Sequence, residues 1–137
     1  MPDRFANTPT PLLASDTVMV NSTLALIAQA VKIDQGICAF LYLQYKLTAG
    51  SASQKIDVYG VYSTTELTLY DEVSIVNCPL IGTFNLINDT GTYHNYSIRL
   101  DGTAVSGQYM KIALLPSSAG AGTIAAGSLK MVVRSPK

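Results

Sequence analysis

The sequence predicts an all-β fold, an antiparallel β-sandwich of eight to nine strands with a jelly-roll-like arrangement. The first indication is that apolar and polar residues alternate in one segment after another, with the period of two that is typical of strands. The second is that short links rich in glycine, asparagine and aspartate join these segments, and such links are too short to hold a crossover helix. Eight strands divided between two sheets suggest a jelly roll.

The first fifteen residues predict an extended arm, which is followed by a single β-sandwich domain at 16–137. Three of the six prolines in the chain lie in residues 1–15, and proline removes backbone donors and favours extended backbone. Two fates of the arm stay open: a disordered end, or a segment that lies extended on a neighbouring subunit. In the second case its anchors are Phe5, Leu12 and Leu13.

Residues 16–20 read as a short first strand, and residues 22–34 are ambiguous. Leu24, Ala28 and Val31 fit a helical stripe, whereas alternate residues of the same stretch fit one face of a strand. No acidic residue occupies the first turn of the possible helix, and predicted strands lie on both sides of the segment. We therefore favour a strand for 22–34.

Residues 37–48 carry apolar side chains on both faces, which is expected of a central strand with one face in the core. The other face then needs a cover, such as the arm or a second subunit. A flexible link at 49–53 leads to renewed alternation at 55–62. A loose hairpin is the simplest connection between these two strands.

The second half of the chain has the clearest strand pattern. Residues 63–77 are irregular, residues 80–87 alternate again, and the chain reverses at 88–91 because Asn, Asp and Gly tolerate turn angles. Three alternating segments then follow in succession within 92–134. We expect them to pair as antiparallel neighbours.

The composition indicates that part of the surface is covered. Only 13% of the 137 residues are charged and 48% are hydrophobic, whereas typical soluble proteins have roughly 25% charged residues. A surface so poor in charge favours contact with other copies of the chain, and therefore a homo-oligomer. Tyr42, Tyr59 and Tyr62 are candidate interface residues, because tyrosine suits a surface that is partly buried. A compact monomer with a bland surface is the alternative.

The sequence lacks the features required by two classes of partner, nucleic acids and membranes. The formal net charge is zero and the basic residues are spread along the chain, so the sequence has no basic patch for nucleic acid. No apolar run approaches 18 residues, so we expect no membrane span.

The first residues do not form a signal peptide, and Cys38 and Cys78 are therefore expected to be reduced and largely buried.

No motif indicates a chemistry. His94 is the single histidine, and the sequence has no Gly-x-Ser-x-Gly elbow to support a catalytic triad. Glu66, Asp71 and Glu72 lack the alternate spacing of a calcium-binding loop. We expect no enzymatic activity, no cofactor and no metal site.

The eight tyrosines leave a carbohydrate-binding alternative open. Exposed aromatic side chains on a β-sandwich can stack on sugar rings, and several tyrosines lie in predicted strands. The chain has no tryptophan, a residue common in the sugar sites of small lectins. A carbohydrate-binding or host-surface-binding module is thus carried as the alternative function.

The arm, the charge-poor body rich in Ser, Thr and Gly, and the C-terminal run at 109–134 together resemble small β-sandwich structural proteins of tailed bacteriophage virions. The closest type is the head decoration, or cement, protein. The resemblance implies a non-enzymatic virion protein, assembled in the host cytoplasm, that forms a homotrimer and binds and stabilises the lattice of the major capsid protein. A tail-associated component is a further reading of the same resemblance.

Overall fold

Two antiparallel sheets pack face to face around one apolar core in the computed structural model of the protein. The structure describes residues 10–29, 31–32, 38–48, 54–63, 78–100 and 109–134. Within these ranges no helix occurs that could cross a membrane. The chain there forms eleven strands: β1 Thr10–Pro11, β2 Thr17–Met19, β3 Ala25–Leu26, β4 Val31–Lys32, β5 Cys38–Leu47, β6 Lys55–Ser63, β7 Leu80–Asn85, β8 Tyr93–Leu100, β9 Tyr109–Ser117, β10 Gly122–Ile124 and β11 Lys130–Arg134.

The predicted all-β antiparallel sandwich is confirmed. All the strand pairs that the structure describes between these elements are antiparallel. The strand number exceeds eight to nine because several elements, such as β1 and β3, are only two residues long. Pieces this short leave no readable alternation in the sequence.

Strand β5 is the centre of the first sheet. One of its edges pairs with β8 over eight residues, from Ala39–Leu100 to Lys46–Tyr93. Its other edge pairs with β11 over the first half and with β10 over the second half. β1 pairs with β11 and β2 pairs with β10. Hydrogen bonds on both edges make β5 the most firmly held strand of this sheet.

Strands β6 and β9 are the centre of the second sheet. They pair over nine residues, from Lys55–Ser117 to Ser63–Tyr109. β7 lies on the other edge of β6, with a register shift between Val58 and Tyr59. β3 and β4 pair with the other edge of β9.

The core lies between the sheets and is built from alternate residues of the long strands. The inward side chains of β5 are at most 3% exposed: Ala39, Leu41, Leu43, Tyr45 and Leu47. The second sheet contributes buried residues such as Ile56, Val58, Met110, Ile112 and Leu114. Full burial of a side chain of this size contributes about 1.5–3 kcal/mol, so these contacts are the main source of stability.

Strands that follow each other in sequence often lie in different sheets, which corrects two predictions. The sequence predicts a hairpin from β5 to β6, but β5 belongs to the first sheet and β6 to the second. β8, β9 and β11 were expected to be paired neighbours, yet β8 and β11 flank β5 while β9 pairs with β6. Alternation shows that a strand has a buried face, but either sheet can provide the opposite wall. A short link can cross the roughly 10 Å between packed sheets.

Part of the predicted arm belongs to the body of the fold. β1 pairs with β11 although its proline predicted no strand, and proline is tolerated on an edge strand because one row of donors is not needed there. Leu12 is only 6% exposed, and its N–H donates to the carbonyl of Leu129 over 2.8 Å. Residues 1–9 lie outside the described residues, so the arm stays a prediction there.

Within the described residues, the strand that we favoured for 22–34 forms only at 25–26 and 31–32, and residues 22–24 and 27–29 are not strand. β3 and β4 both pair with β9, and residues 22–29 contain no helix. Of the segment at 63–77 that the sequence predicts to be irregular, Ser63 ends β6 and residues 64–77 lie outside the described residues. The side chain of Cys38 is not described either, so the reduced state of the two cysteines stays a prediction.

Candidate functional site

The outward side of the first sheet, which we name the outer face, is the candidate functional surface. The inward residues of β5 are buried, so the residues between them project outward. The same alternation holds on β8, whose residues at odd positions are exposed. The outer face is formed by Phe40, Tyr42, Gln44 and Lys46 of β5, by Tyr93, Asn95, Ser97 and Arg99 of β8, and by Val18, Thr123, Lys130 and Val132 of the strands beyond β5.

The antiparallel register places complementary groups side by side on this face. Gln44 lies opposite Asn95. Tyr42 lies opposite Ser97 on one side and opposite Lys130 on the other. Directly opposite residues have Cβ atoms about 5 Å apart. A phenol ring, two carboxamides, a hydroxyl group and an ammonium group are therefore gathered within about 12 Å.

A gap between β10 and β11 opens a groove beside Gln44. Both strands pair with the same edge of β5, but residues 125–129 between them leave that edge. The Ser128 hydroxyl replaces part of the missing ladder, because its oxygen accepts from the Gln44 N–H over 3.1 Å. The Ala125 N–H donates to the Gln44 carbonyl over 3.1 Å. The backbone of Gln44 is thus satisfied while the space outside it stays open.

The turn that forms one wall of the groove is held by defined contacts. Gly127 has φ of 71°, in the left-handed region where glycine is unstrained, and its N–H donates to the Leu13 carbonyl over 3.0 Å. The Ala126 N–H donates to the Asp16 carboxylate over 2.7 Å. These bonds fix the wall against the strand that begins at Thr17.

The groove has a volume of about 570 Å³ and opens to solvent along the outer face. This volume is in the range of small-ligand sites, about 300–1,000 Å³. Tyr42 keeps 40% of its surface exposed there. The residues that line it include Tyr42, Gln44, Asn95, Ser128, Lys130 and Val132.

The polar groups of the groove are available to a ligand. Within the described residues, no hydrogen bond or ion pair engages the carboxamides of Gln44 and Asn95 or the ammonium group of Lys130. Tyr96 differs, because its hydroxyl accepts from the Ile87 N–H over 3.0 Å. Each carboxamide has two N–H donors and one carbonyl acceptor. The groove can therefore both donate to and accept from a polar ligand.

A second aromatic group lies at one end of the outer face. Tyr93 is opposite Lys46 in the register, and the Lys46 Nζ lies 4.9 Å from the centroid of the Tyr93 ring. This distance allows a cation–π interaction. The contact orders both side chains and extends the aromatic surface beyond Tyr42.

The one histidine is part of a surface contact. The Nε2 atom of His94 lies 2.8 Å from the Oδ2 atom of Asp89, and this contact joins the turn before β8 to the strand itself. Among the described residues, no group of three His, Cys, Asp or Glu side chains is placed to hold a metal ion. The acidic residues Glu66, Asp71 and Glu72 lie outside the described ranges.

The predicted interface residues that the structure describes lie in different parts of the fold. Tyr42 lines the groove, whereas Tyr59 is half-buried on the outward side of the second sheet. Burial, and to a smaller extent the charge of Asp57, raises the pKa of the Tyr59 phenol. Leu12 lies in the core of this chain and Leu13 packs against that core. The roles of Leu12, Leu13, Tyr42 and Tyr59 in an interface with another subunit stay a prediction.

The other two predicted interface residues are not tested. Phe5 lies outside the described residues, and Tyr62 is described only by its backbone, which pairs with Met110 in β9. Tyr42 and Gln44, on the outward side of β5, are exposed within this chain, and their cover by the arm or by a second subunit stays a prediction.

Sequence reasoning did not single out Gln44, Asn95, Ser128 or Lys130. Alternation alone places Gln44 on the same face as Tyr42. Its juxtaposition with Asn95 depends on the register between β5 and β8, which are separated by some fifty residues of sequence. A single sequence carries no readable signal for such a distant register.

No protein-family model and no curated protein matches the sequence. Among solved structures, the chain is similar to a xylan-binding module, CBM15, with a TM-score of 0.46 and 9% sequence identity. The similarity covers 94% of this chain and 78% of the module. The ligand of this chain has to be inferred from its own residues.

Proposed function

We propose that the protein is a non-catalytic binding module and that the groove on the outer face binds a carbohydrate. The observation that supports this best is the exposed ring of Tyr42 beside the unpaired carboxamides of Gln44 and Asn95. A sugar ring has an apolar face of C–H groups and a rim of hydroxyl groups. An aromatic ring complements the first, and groups that both donate and accept complement the second.

The rigidity of the groove favours binding. Tyr42 and Gln44 lie on β5, which has paired neighbours on both edges, and Asn95 lies on the adjacent strand. Side chains held on such a base lose less conformational freedom when a ligand arrives, so less of the interaction energy is spent on ordering. The groove is open along the sheet, which suits a segment of a polysaccharide better than an enclosed small molecule.

The test is to measure binding of soluble polysaccharides to the wild type, to Tyr42→Ala and to Tyr59→Ala by isothermal titration calorimetry. Tyr59→Ala is the matched control, because it removes the same side chain from the outward side of the other sheet. We expect Tyr42→Ala to weaken binding at least about tenfold, a loss of about 1.4 kcal/mol, because the variant removes the aromatic ring on which the apolar face of a sugar packs. Tyr59→Ala is expected to bind as the wild type does.

Two results would refute this function. One is that a broad panel of neutral and acidic polysaccharides shows no binding to a wild-type protein whose circular dichroism is that of a folded β protein. The other is equal loss of binding in the two tyrosine variants, which would place the ligand away from the groove.

The edge strand β2 favours a second candidate, an assembly protein. β2 ends the first sheet on one side, and its Val18 is 72% exposed while the adjacent Val20 is 57% exposed. An edge strand with exposed valines is a template for pairing with another chain. A homotrimer, and attachment to the major capsid protein lattice of a virion, are the forms of assembly that the sequence resemblance predicts.

A further inference from the structure

The charged residues of the first sheet are all cations. Its six strands contain Lys46, Arg99, Lys130 and Arg134 and no Asp or Glu. The strands of the second sheet contain Lys32, Lys55 and Lys111 and also Asp57, so the first sheet is the one whose strands lack a carboxylate. Lys46, Arg99 and Lys130 lie at outward positions of the register and so belong to the outer face.

Among the residues that the structure describes, no carboxylate neutralises these three cations. Within the described residues, neither Arg99 nor Lys130 is in an ion pair, and Lys46 contacts the Tyr93 ring. Two carboxylates lie near the edges of the sheet. Asp16 accepts from a backbone N–H over 2.7 Å, and Asp89 pairs with His94. Unneutralised cations around an open groove create a positive potential along it.

The cations follow the axis of β5. Arg99 lies opposite Phe40 and Lys130 opposite Tyr42. A residue in a strand advances about 3.3 Å, so the register positions of Arg99 and Lys130 are about 7 Å apart along β5 and those of Lys130 and Lys46 about 13 Å apart. The groove with Gln44 and Asn95 lies between Lys130 and Lys46.

We propose that the ligand of the groove is an acidic polysaccharide, whose sugar residues carry carboxylates, that lies along β5. This inference rests on the proposed carbohydrate function and names its substrate class. The ring of Tyr42 and the two carboxamides contact a sugar residue, and Lys130, Arg99 and Lys46 meet carboxylates along the polymer. An ammonium or guanidinium group forms charge-assisted hydrogen bonds with a carboxylate.

A single-stranded nucleic acid is also anionic and also stacks on aromatic side chains. The outer face suits it less well. Its three described cations are spread over about 20 Å, the length of the six residue-to-residue steps from Phe40 to Lys46. Nucleic-acid sites instead present clustered Lys and Arg that neutralise successive phosphates. The carboxamides of Gln44 and Asn95, which lie between Lys130 and Lys46, suit the hydroxyl groups of a sugar.

The test compares polygalacturonate with its fully methyl-esterified form, whose backbone is the same but uncharged. Affinities of the full chain are measured in 20 mM and 200 mM NaCl, for the wild type, Lys130→Gln, Arg99→Gln and Lys55→Gln. Lys55→Gln is the control, because Lys55 lies in β6 of the second sheet and near Asp57. A thymidine 20-mer is the nucleic-acid probe.

We expect polygalacturonate to bind at least tenfold more tightly than the ester in 20 mM NaCl. Lys130→Gln and Arg99→Gln should each weaken polygalacturonate binding severalfold and weaken binding of the ester by a smaller factor. Lys55→Gln should leave the affinities for polygalacturonate and for the ester unchanged. The preference should shrink in 200 mM NaCl, since salt screens the attraction.

Equal affinity for the two polymers, with loss on Tyr42→Ala, would overturn the acidic ligand and leave the carbohydrate function intact. Absence of binding to either polymer, and to neutral glycans, would overturn both. An equal effect of all three charge variants would mean non-specific attraction and refute the inference. Tighter binding of the thymidine 20-mer than of polygalacturonate would replace the glycan by nucleic acid.

Discussion

Tyr45 is the largest polar residue of the first sheet whose side chain is buried in the core. It is 1% exposed, and its hydroxyl donates to the carbonyl of Gly120 over 2.5 Å. A buried hydroxyl with a partner avoids the desolvation cost of an unpaired one. Burial, with a smaller contribution from Tyr96, raises the pKa of the Tyr45 phenol well above its ordinary value of 10.0.

We predict that Tyr45→Phe lowers the free energy of unfolding at pH 7 by about 1 kcal/mol, because the Gly120 carbonyl loses its donor. Above pH 10 the difference should narrow and then reverse. The phenol ionises in the unfolded chain but stays protonated in the folded wild type, which costs the wild type up to about 1.4 kcal/mol per pH unit. The variant has no such loss.

Urea unfolding at pH 7, 9, 10.5 and 11 measures this difference. Tyr42→Phe is the control, because it removes the same hydroxyl group from the exposed outer face. A constant difference between the wild type and Tyr45→Phe across the range would show that the buried phenol does not couple to stability.

The residues of β5 also show which features of the fold the sequence predicts and which it does not. Alternation correctly separates the face with Leu41 and Tyr45 from the face with Phe40 and Tyr42. It does not tell which face is inward, because both carry apolar and aromatic residues. The distinction arises from packing against the second sheet, in which Ile56 and Ile112 are buried, and that packing depends on the whole topology.

At the scale of elements, β10 lies very close to β5 at Gly122. A Cβ atom on Gly122 would lie 2.3 Å from the Lys46 carbonyl oxygen and 2.8 Å from the Tyr45 ring. Only glycine allows this approach of β10 to β5. Gly82 in β7 differs, because its nearest neighbour would be the flexible end of the Ile98 side chain at 2.8 Å.

We predict that Gly122→Ala lowers the free energy of unfolding by about 1–3 kcal/mol, the usual range for overpacking. Gly82→Ala, the matched control, should lose less, since the Ile98 side chain can move whereas the Lys46 backbone is held in the sheet. Urea unfolding monitored by circular dichroism gives both values. Equal losses, or a larger loss for Gly82→Ala, would contradict the fit described for β10.

The elements also divide into those that the sequence predicts and those that it does not. The long strands β5, β6, β8 and β9 follow from alternation. The gap at 125–129, which opens the groove, does not, because it is defined by where β10 and β11 pair along β5. The groove is thus a product of register, and register is set by contacts between segments far apart in sequence.

At the scale of the whole molecule, the two long sides of the first sheet differ. β8 packs against β7 of the second sheet, where Ile98 and Leu100 lie close to Gly82. β2 at the other side has no further strand beside it among the described residues. With 13% charged residues in the chain, this edge is weakly protected against pairing with another molecule.

We predict that the protein is an oligomer at micromolar concentration, with β2 in its interface. The sequence resemblance predicts that this oligomer is a trimer. Light scattering should give a mass above that of the 14.6 kDa monomer. The double variant Val18→Lys, Val20→Lys should shift the mass toward the monomer, because each lysine places a charge where a stable interface would bury about 800 Å² per partner. A chain that begins at Thr10 tests the predicted arm, and it should associate more weakly.

Leu80→Lys is the control for the added charge, since Leu80 is 56% exposed on β7 and lies in the second sheet. It should leave the mass unchanged. A monomeric wild type would refute the oligomer. Dissociation by Leu80→Lys but not by the valine variant would move the interface from β2 to β7.

If the chain that begins at Thr10 associates as strongly as the full chain, residues 1–9 do not hold neighbouring subunits, and association depends on the sheet edge alone.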